Sequence, residues 1–362
     1  MGRRQLEISH SGLDMYLDCA RKWYYAHHPK IPKKTDYPRL CGLEVHRHIA
    51  QFYRPTREPR AFYFKYKISA IKTWFKRWQR ALEEAELRKT LILPDKDKAK
   101  EYGRIGAICI ANYWNANLKT LRPLQVEKHY RTRLDNGVFL VGVFDQVRQV
   151  SLDWIKHHRP EIVRNGKLIN GYENVVIVDL KTGYLSYDYR QFKENPSLMK
   201  RIRLQYELHE NLQTTLYTFL YEKVKGRKPV GFLWYHLRSN KAFFTYREER
   251  DYFVLSNNIE YYLENIRAQL FPKHVGYNCR VCDYLRACRE DRYFLLVEPE
   301  ESLESLDEVG IVPNLVKKDS CRQLKLKLKI PRKKAKKPII YPKEEEPIIL
   351  RNLPWDEKKP EL

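Results

Sequence analysis

The chain has 362 residues, 43% of them hydrophobic, which is enough for one large domain or two ordinary ones and excludes a wholly unfolded polypeptide. Lys+Arg 69 against Asp+Glu 45 leaves a net charge of +24, and 26 Tyr and 7 Trp add stacking surface, so a nucleic-acid partner is favoured over a basic soluble surface or adaptation to heat. No apolar run is long enough to span a bilayer and MGRRQLEISH has no signal-peptide core; an intracellular protein with no membrane partner is expected, its seven cysteines serving as metal ligands or buried thiols.

In chain order, SHSGLDMYLDCARKWYYAHH reads as a helix capped by Ser9 or Ser11, with Leu13, Tyr16, Leu17 and Tyr24 at helical spacing and Cys19 inside it. A second helix is expected from about Leu40 and places His46 one turn after Gly42. A histidine on a helix is more often a surface or core residue than a ligand. Residues 61–121 read as an amphipathic helical region, an entry arch or a cap, with Trp74, Phe75 and Trp78 as core rather than a base-stacking platform. Pro94 and DKDKAK mark a loop within it.

The period then changes. VEKHYRTRL and VFLVGVFDQVRQV flank Asp135-Asn136-Gly137, a hairpin signal because Asn-Gly supplies positive backbone angles. Strict alternation would put Val141, Val143, Asp145 and Val147 on one face, where Asp145 needs a metal, a lysine or donors unless it faces solvent at the strand end. Residues 151–172 look like a basic insertion with its own Asn165-Gly166 turn. Next comes VIVDLKTGY, a short buried strand whose alternation places Asp179 and Lys181 on one face. An acid that can hold a divalent metal beside a cation that can position water suits phosphodiester hydrolysis. The tripeptide recurs at Asp356 and Lys358 with no strand before it, so it is a weak signal alone.

After a linker near Asn195-Pro196, RLQYELHENLQTTLYTFLYEKVKG reads as a long helix ended by Gly226, with Gln213 and Tyr217 on one face. A strand pair over 230–246 and a helix over 248–270 follow. Cys279-x2-Cys282-x5-Cys288 is the spacing of a soft metal centre, for which Cys19 is the best remote fourth ligand; Cys41, Cys109 and Cys321 fit no such spacing. From residue 298 the chain turns acidic, then basic, then proline-rich, and is expected to be mostly disordered from about Val316. Its basic block would add affinity for a polyanion or simply solubilise the chain.

Taken as an ordered set, these residues resemble the RecB-like branch of the PD-(D/E)XK nucleases, and within it the iron–sulfur subgroup of the CRISPR-associated exonucleases and the AddB nuclease module. The matching positions are Ser9, Ser11 and Leu13 with Cys19, then His46, then Gly142 with Asp145, then Asp179 with Lys181, then Gln213 with Tyr217, then Cys279, Cys282 and Cys288. The chain departs from the family at Ala20, where proline is usual, and at Asp179, where glutamate is common. The resemblance implies an α/β fold, a mixed central sheet flanked by helices, with the nuclease domain over 1–297, an N-terminal helical region and an iron–sulfur-stapled C-terminal end. A charged tail over 298–362 completes the expected organisation.

The resemblance further implies a Mg2+- or Mn2+-dependent deoxyribonuclease, with one or two ions held by His46, Asp145, Asp179 and the Leu180 carbonyl. Asp145, Asp179, Lys181, Gln213 and Tyr217 would be catalytic, with Glu127 behind them in support. Cys19, Cys279, Cys282 and Cys288 would hold a [4Fe–4S] cluster, with zinc the alternative occupant. The expected substrate is single-stranded DNA, cut from its ends in repair, recombination or processing. No GxxxxGK[ST] loop is present, so any helicase would be a separate partner. The rival readings are a structure-specific endonuclease and a non-catalytic nucleic-acid-binding protein with a four-cysteine zinc site.

Overall fold

The computed structural model describes residues 6–27, 35–53, 64, 66–91, 94–117, 123–135, 137–183, 207–289 and 349–350. The chain divides into two units, residues 1–274 with 346–362, and residues 275–345.

The first unit is built on a mixed sheet. Its strands are β1 (Glu7–Ile8), β2 (Gln125–Arg133), β3 (Phe139–Gln149), β6 (Tyr172–Lys181), β7 (Lys228–His236), β8 (Lys241–Thr245) and β9 (Ile349–Leu350), in the order β1-β3-β6-β7-β8-β9, with β2 beside β3. The β2–β3 hairpin forms as expected, with Gly137 at φ 80. A minor hairpin of β4 (Val163–Arg164) and β5 (Lys167–Leu168) turns at Asn165 and Gly166, both at positive φ.

Helices cover both sheet faces because β6 and β7 are apolar on both sides. Val176, Val178 and Leu180 face a core with α3 (Tyr37–Gln51), α4 (Lys67–Leu87) and α5 (Lys96–Asn117), joined from β7 by Leu233 and Tyr235. Val175 and Ile177 face a second core with α1 (His10–Asp18), α7 (Leu212–Lys225) and α8 (Glu249–Arg267), joined by Phe232. Alternation along β6 therefore puts Asp179 on the α7 side. Short α2 (Ala20–His27) and α6 (Leu152–His158) are the unit's other α-helices among the described residues.

The structure corrects several readings. Cys19 is not inside a helix. It is extended at φ -160, ψ 109 and separates α1 from α2, its N–H donating to the Met15 carbonyl and its own carbonyl accepting from Trp23 N at 3.1 Å. The break lets each short helix bury its own aromatic, Tyr16 and Tyr25. Ser9 is the cap, accepting from Gly12 N at 3.1 Å.

Trp74 and Trp78 are core, but Phe75 is 44% exposed, because one position along the helix turns it about 100° off the buried stripe. Trp74 lies against Gly106 of α5, where a Cβ would stand 1.9 Å from the indole. DKDKAK is the start of α5 rather than a loop: Asp95 accepts from the Asp97 and Lys98 N–H groups, leaving the remainder free to wind. Of the expected long helix, residues 203–206 lie outside the described residues, residues 207–209 are helical, and α7 covers Leu212–Lys225. Asn211 accepts from Thr214 N and caps it, and Gly226 ends it at φ 68.

The row of Val141, Val143, Asp145 and Val147 on one face is also not kept. Leu140, Phe144 and Val147 share the α7-side core, while Gln146 and Arg148 reach Tyr113 of α5 on the other side. The alternation therefore switches at Asp145. Opposite it in the β2 register stands Glu127, at φ 47. A left-handed residue within a strand adds local twist, and such irregularities redirect the facing side chain.

The expected linker near Asn195-Pro196, Cys321 and most of the tail lie outside the described residues. Within the tail, Ile349 and Leu350 pair with Phe243 and Ala242 on β8.

Candidate active site

On its edge away from β2, β3 has two neighbours. Parallel β1 pairs with Phe139 and Leu140, and antiparallel β6 pairs from Gln146↔Val178 to Gln149↔Val175. Past Gln146 the two strands part, and the first residues of the fork are Asp145 and Asp179. Asp145 Oδ2 replaces the missing ladder carbonyl, accepting from Leu180 N at 2.6 Å. Its other oxygen lies 3.0 Å from His46 Nδ1. His46 reaches the fork because α3 packs closely there, with a Cβ on Gly42 standing only 3.0 Å from Thr182 Oγ1 just past β6. The glycine one turn before His46 is thus a spacing device.

Burial alone would lower the His46 pKa, but the carboxylates of Asp145, Asp179 and Glu127 outweigh it and raise it to about 9. His46, Glu127 and Asp145 each place one ligand atom within 4.8 Å of the other two.

Asp179 is buried at 5% exposure, and burial, reinforced by Asp145, raises its carboxyl pKa against the pull of Lys181. Lys181 Nζ lies 2.6 Å from Asp179 Oδ2, as their shared face requires. Oδ2 is sealed from water, with the Lys181 ammonium as its charge partner. Gln213, at the start of α7, bridges the pair: its Nε2 donates to Asp179 Oδ1 at 2.7 Å and its Oε1 accepts from Lys181 Nζ at 2.8 Å. Tyr217, one turn on, packs against Phe144 with centroids 4.8 Å apart. Gly142 admits that helix, since a Cβ there would meet Tyr217 Cε1 and Leu220 Cδ2 at 3.1 Å.

The residues fit a divalent cation. His46, Asp145 and Glu127 bring an imidazole and two carboxylates together at the opened ladder, while Asp179, expected among the ligands, stands outside that group of three with its carboxylate held by Lys181 and Gln213. Leu180 lies between the two acids, its N–H turned towards β3. In a strand, the carbonyl of a residue leaves on the same side as its N–H.

A sequence profile of the PD-(D/E)XK nuclease superfamily matches residues 7–155 and 168–289. The chain belongs to this superfamily. Superfamily membership makes the chain a nuclease. No curated protein matches. A crystal structure from Eubacterium rectale described as "Putative exonuclease" is similar at 13% identity and TM-score 0.39, over 84% of this chain and 94% of that one.

Several residues around the nuclease fork had no signal in the sequence. β7 runs parallel to β6 with Trp234 beside Asp179 and His236 beside Lys181, so both share the acidic face. Lys181 Nζ lies 5.5 Å from the Trp234 ring centroid. His10, in the first turn of α1, meets Tyr217 edge-on with centroids 6.5 Å apart. Burial first, and the Lys181 charge second, lower the pKa of both His10 and His236 to about 4. Strand order is not written in local pattern, so only position 10, between Ser9 and Ser11, was near a motif.

Cys19 joins α1 to α2 in the first unit. In the second, Cys279 lies in a single 3-10 turn (Tyr277–Val281), Cys282 follows it, and Cys288 is in α9 (Leu285–Arg289). Cys282 N–H donates to the Cys279 carbonyl at 3.3 Å and Cys288 N–H to the Tyr284 carbonyl at 2.8 Å, so tight turns keep the three thiols in one short segment. Cys41 and Cys109 are buried, and burial pushes both thiols up to about 12, as for inert core cysteines.

Proposed function

We propose that this nuclease is a divalent-cation-dependent deoxyribonuclease of the RecB-like branch that shortens single-stranded DNA from its ends. The observation that carries the reading is the fork of β3 and β6, where Asp145 and Asp179 stand together with Lys181 tied to Asp179 and Gln213. His46, Asp145, Asp179 and the Leu180 carbonyl would hold Mg2+ or Mn2+. When bound, the cation neutralises phosphate charge and acidifies water.

The chain's own groups do the rest. Lys181 orients the attacking water and offsets charge building on the phosphate. Gln213 keeps Lys181 and Asp179 in register through both ends of its amide. Tyr217 borders the path of the DNA strand. The net charge of +24 supports a polyanionic substrate drawn in by long-range attraction.

The assay is degradation of single-stranded DNA with Mg2+ or Mn2+, which Asp179→Ala or Lys181→Ala abolishes while the melting temperature is kept. Cleavage surviving in both variants would remove this strand end from the mechanism. Cutting of circular single strands would replace end-dependent action with endonuclease action, and salt-sensitive binding without any cleavage would make the chain a binding protein.

The same reading includes a [4Fe–4S] cluster on Cys19, Cys279, Cys282 and Cys288. The x2 and x5 spacings and the packed turns that carry them support it. Protein purified without oxygen is then brown with a shoulder in the visible, lost in Cys282→Ser. A colourless preparation holding zinc would transfer these cysteines to a zinc site.

A further inference from the structure

Five non-glycine residues among those described have positive φ: Lys89, Glu127, Asn165, Asn240 and Gln269. Four lie where the chain ends a helix or reverses between strands. Glu127 alone lies inside a strand, and a side chain bearing a Cβ is unfavourable there.

What the strained residue presents is a carboxylate within 4.8 Å of ligand atoms on both His46 and Asp145. Among the described residues, no hydrogen bond or ion pair ties that carboxylate down, and the nearest anion is its register neighbour Asp145. An unfavourable backbone thus holds one negative group beside another, with the His46 and Arg47 charges opposing the repulsion. The backbone conformation itself is a cost. The arrangement becomes useful once a cation lies between the two acids.

We propose that Glu127 is a direct ligand of the divalent cation, held in a strained strand position that also turns Asp145 out of the β3 alternation. This deepens the nuclease reading and rests on it. It differs from a supporting role behind the ligands, because a support acts through hydrogen bonds to ligating groups, and the Glu127 carboxylate makes none among the described residues.

The test is Mn2+ binding to the full chain by calorimetry, without DNA, together with thermal melting with and without Mn2+. Asp145→Ala serves as the ligand control. Glu127→Gln is expected to weaken Mn2+ by more than the about 100-fold that is the upper end for losing a group behind the ligands, and Glu127→Asp by less, because the charge is kept. Glu127→Gly is expected to raise the melting temperature of the cation-free protein by about 2 °C while shrinking the Mn2+-induced rise.

Wild-type protein that binds no Mn2+ would overturn the nuclease reading itself. Binding lost in Asp145→Ala but unchanged in Glu127→Gln and Glu127→Gly would overturn this inference alone. A Glu127→Gly protein that melts lower without cation would overturn the stored strain.

Discussion

Acid should loosen this protein through one histidine that never reaches solvent. His48 on α3 is 0% exposed, its ring stacked on Phe64 with centroids 5.1 Å apart and edge-on to Phe52 and Trp74. Its Nε2–H donates to the Ala70 carbonyl at 3.0 Å, and Nδ1 is sealed in without a partner. Burial, then the nearby Arg77 charge, lowers its pKa to about 4 against 6.5 in a free chain. Between those values the unfolded chain binds a proton that the folded one refuses, so stability falls as pH falls through the window and is level above it. From about pH 7.5 to about pH 4.5, His48 alone removes about 2.5 kcal/mol.

The substitution to make is His48→Gln, whose amide can donate to Ala70 but does not titrate. Chemical denaturation of the cation-free protein, followed by tryptophan fluorescence across that range, should give a pH slope shallower by about 2 kcal/mol than wild type, whatever constant offset the lost ring brings. His10 and His236 account for part of the remaining slope. Parallel wild-type and variant curves would show that His48 accepts a proton in place, and the argument from burial would fail.

Gly106→Ala places a methyl 1.9 Å from Trp74 Cζ2, so α4 and α5 must separate; a loss of about 1–3 kcal/mol is expected in thermal melts, and an unchanged melting temperature would contradict the packing. Gly142→Ala meets Tyr217 and Leu220 at 3.1 Å, contacts that α7 relieves by moving a few tenths of an ångström. Because Gln213 rides on that helix, DNA cleavage should fall by about tenfold or more with a stability change under about 1.5 kcal/mol, and the reverse pattern would detach the helix from catalysis.

The parts legible in the sequence are those in which neighbours along the chain determine the outcome. Asn-Gly turns, the Ser9 cap, the Gly226 stop and the shared face of Asp179 and Lys181 are local, because backbone sterics and a period of two act within a few residues, whereas the Asn211 cap lay inside the expected helix. The ordered motifs from His46 to Tyr217 marked which side chains to watch. Competition between distant segments decided the rest. Cys19 leaves the helix because α1 and α2 each bury a separate aromatic side, and Glu127 and Asp145 break alternation through a strained residue with no local signature. Trp234 and His236 reach the acids only because β7 docks parallel to β6. His46 and Asp145, 99 positions apart, meet at 3.0 Å because β1 and β6 share one edge of β3 and leave a fork between them. Pattern within the chain thus specifies each ligand-bearing element, and the packing of the whole sheet specifies the distance between ligands.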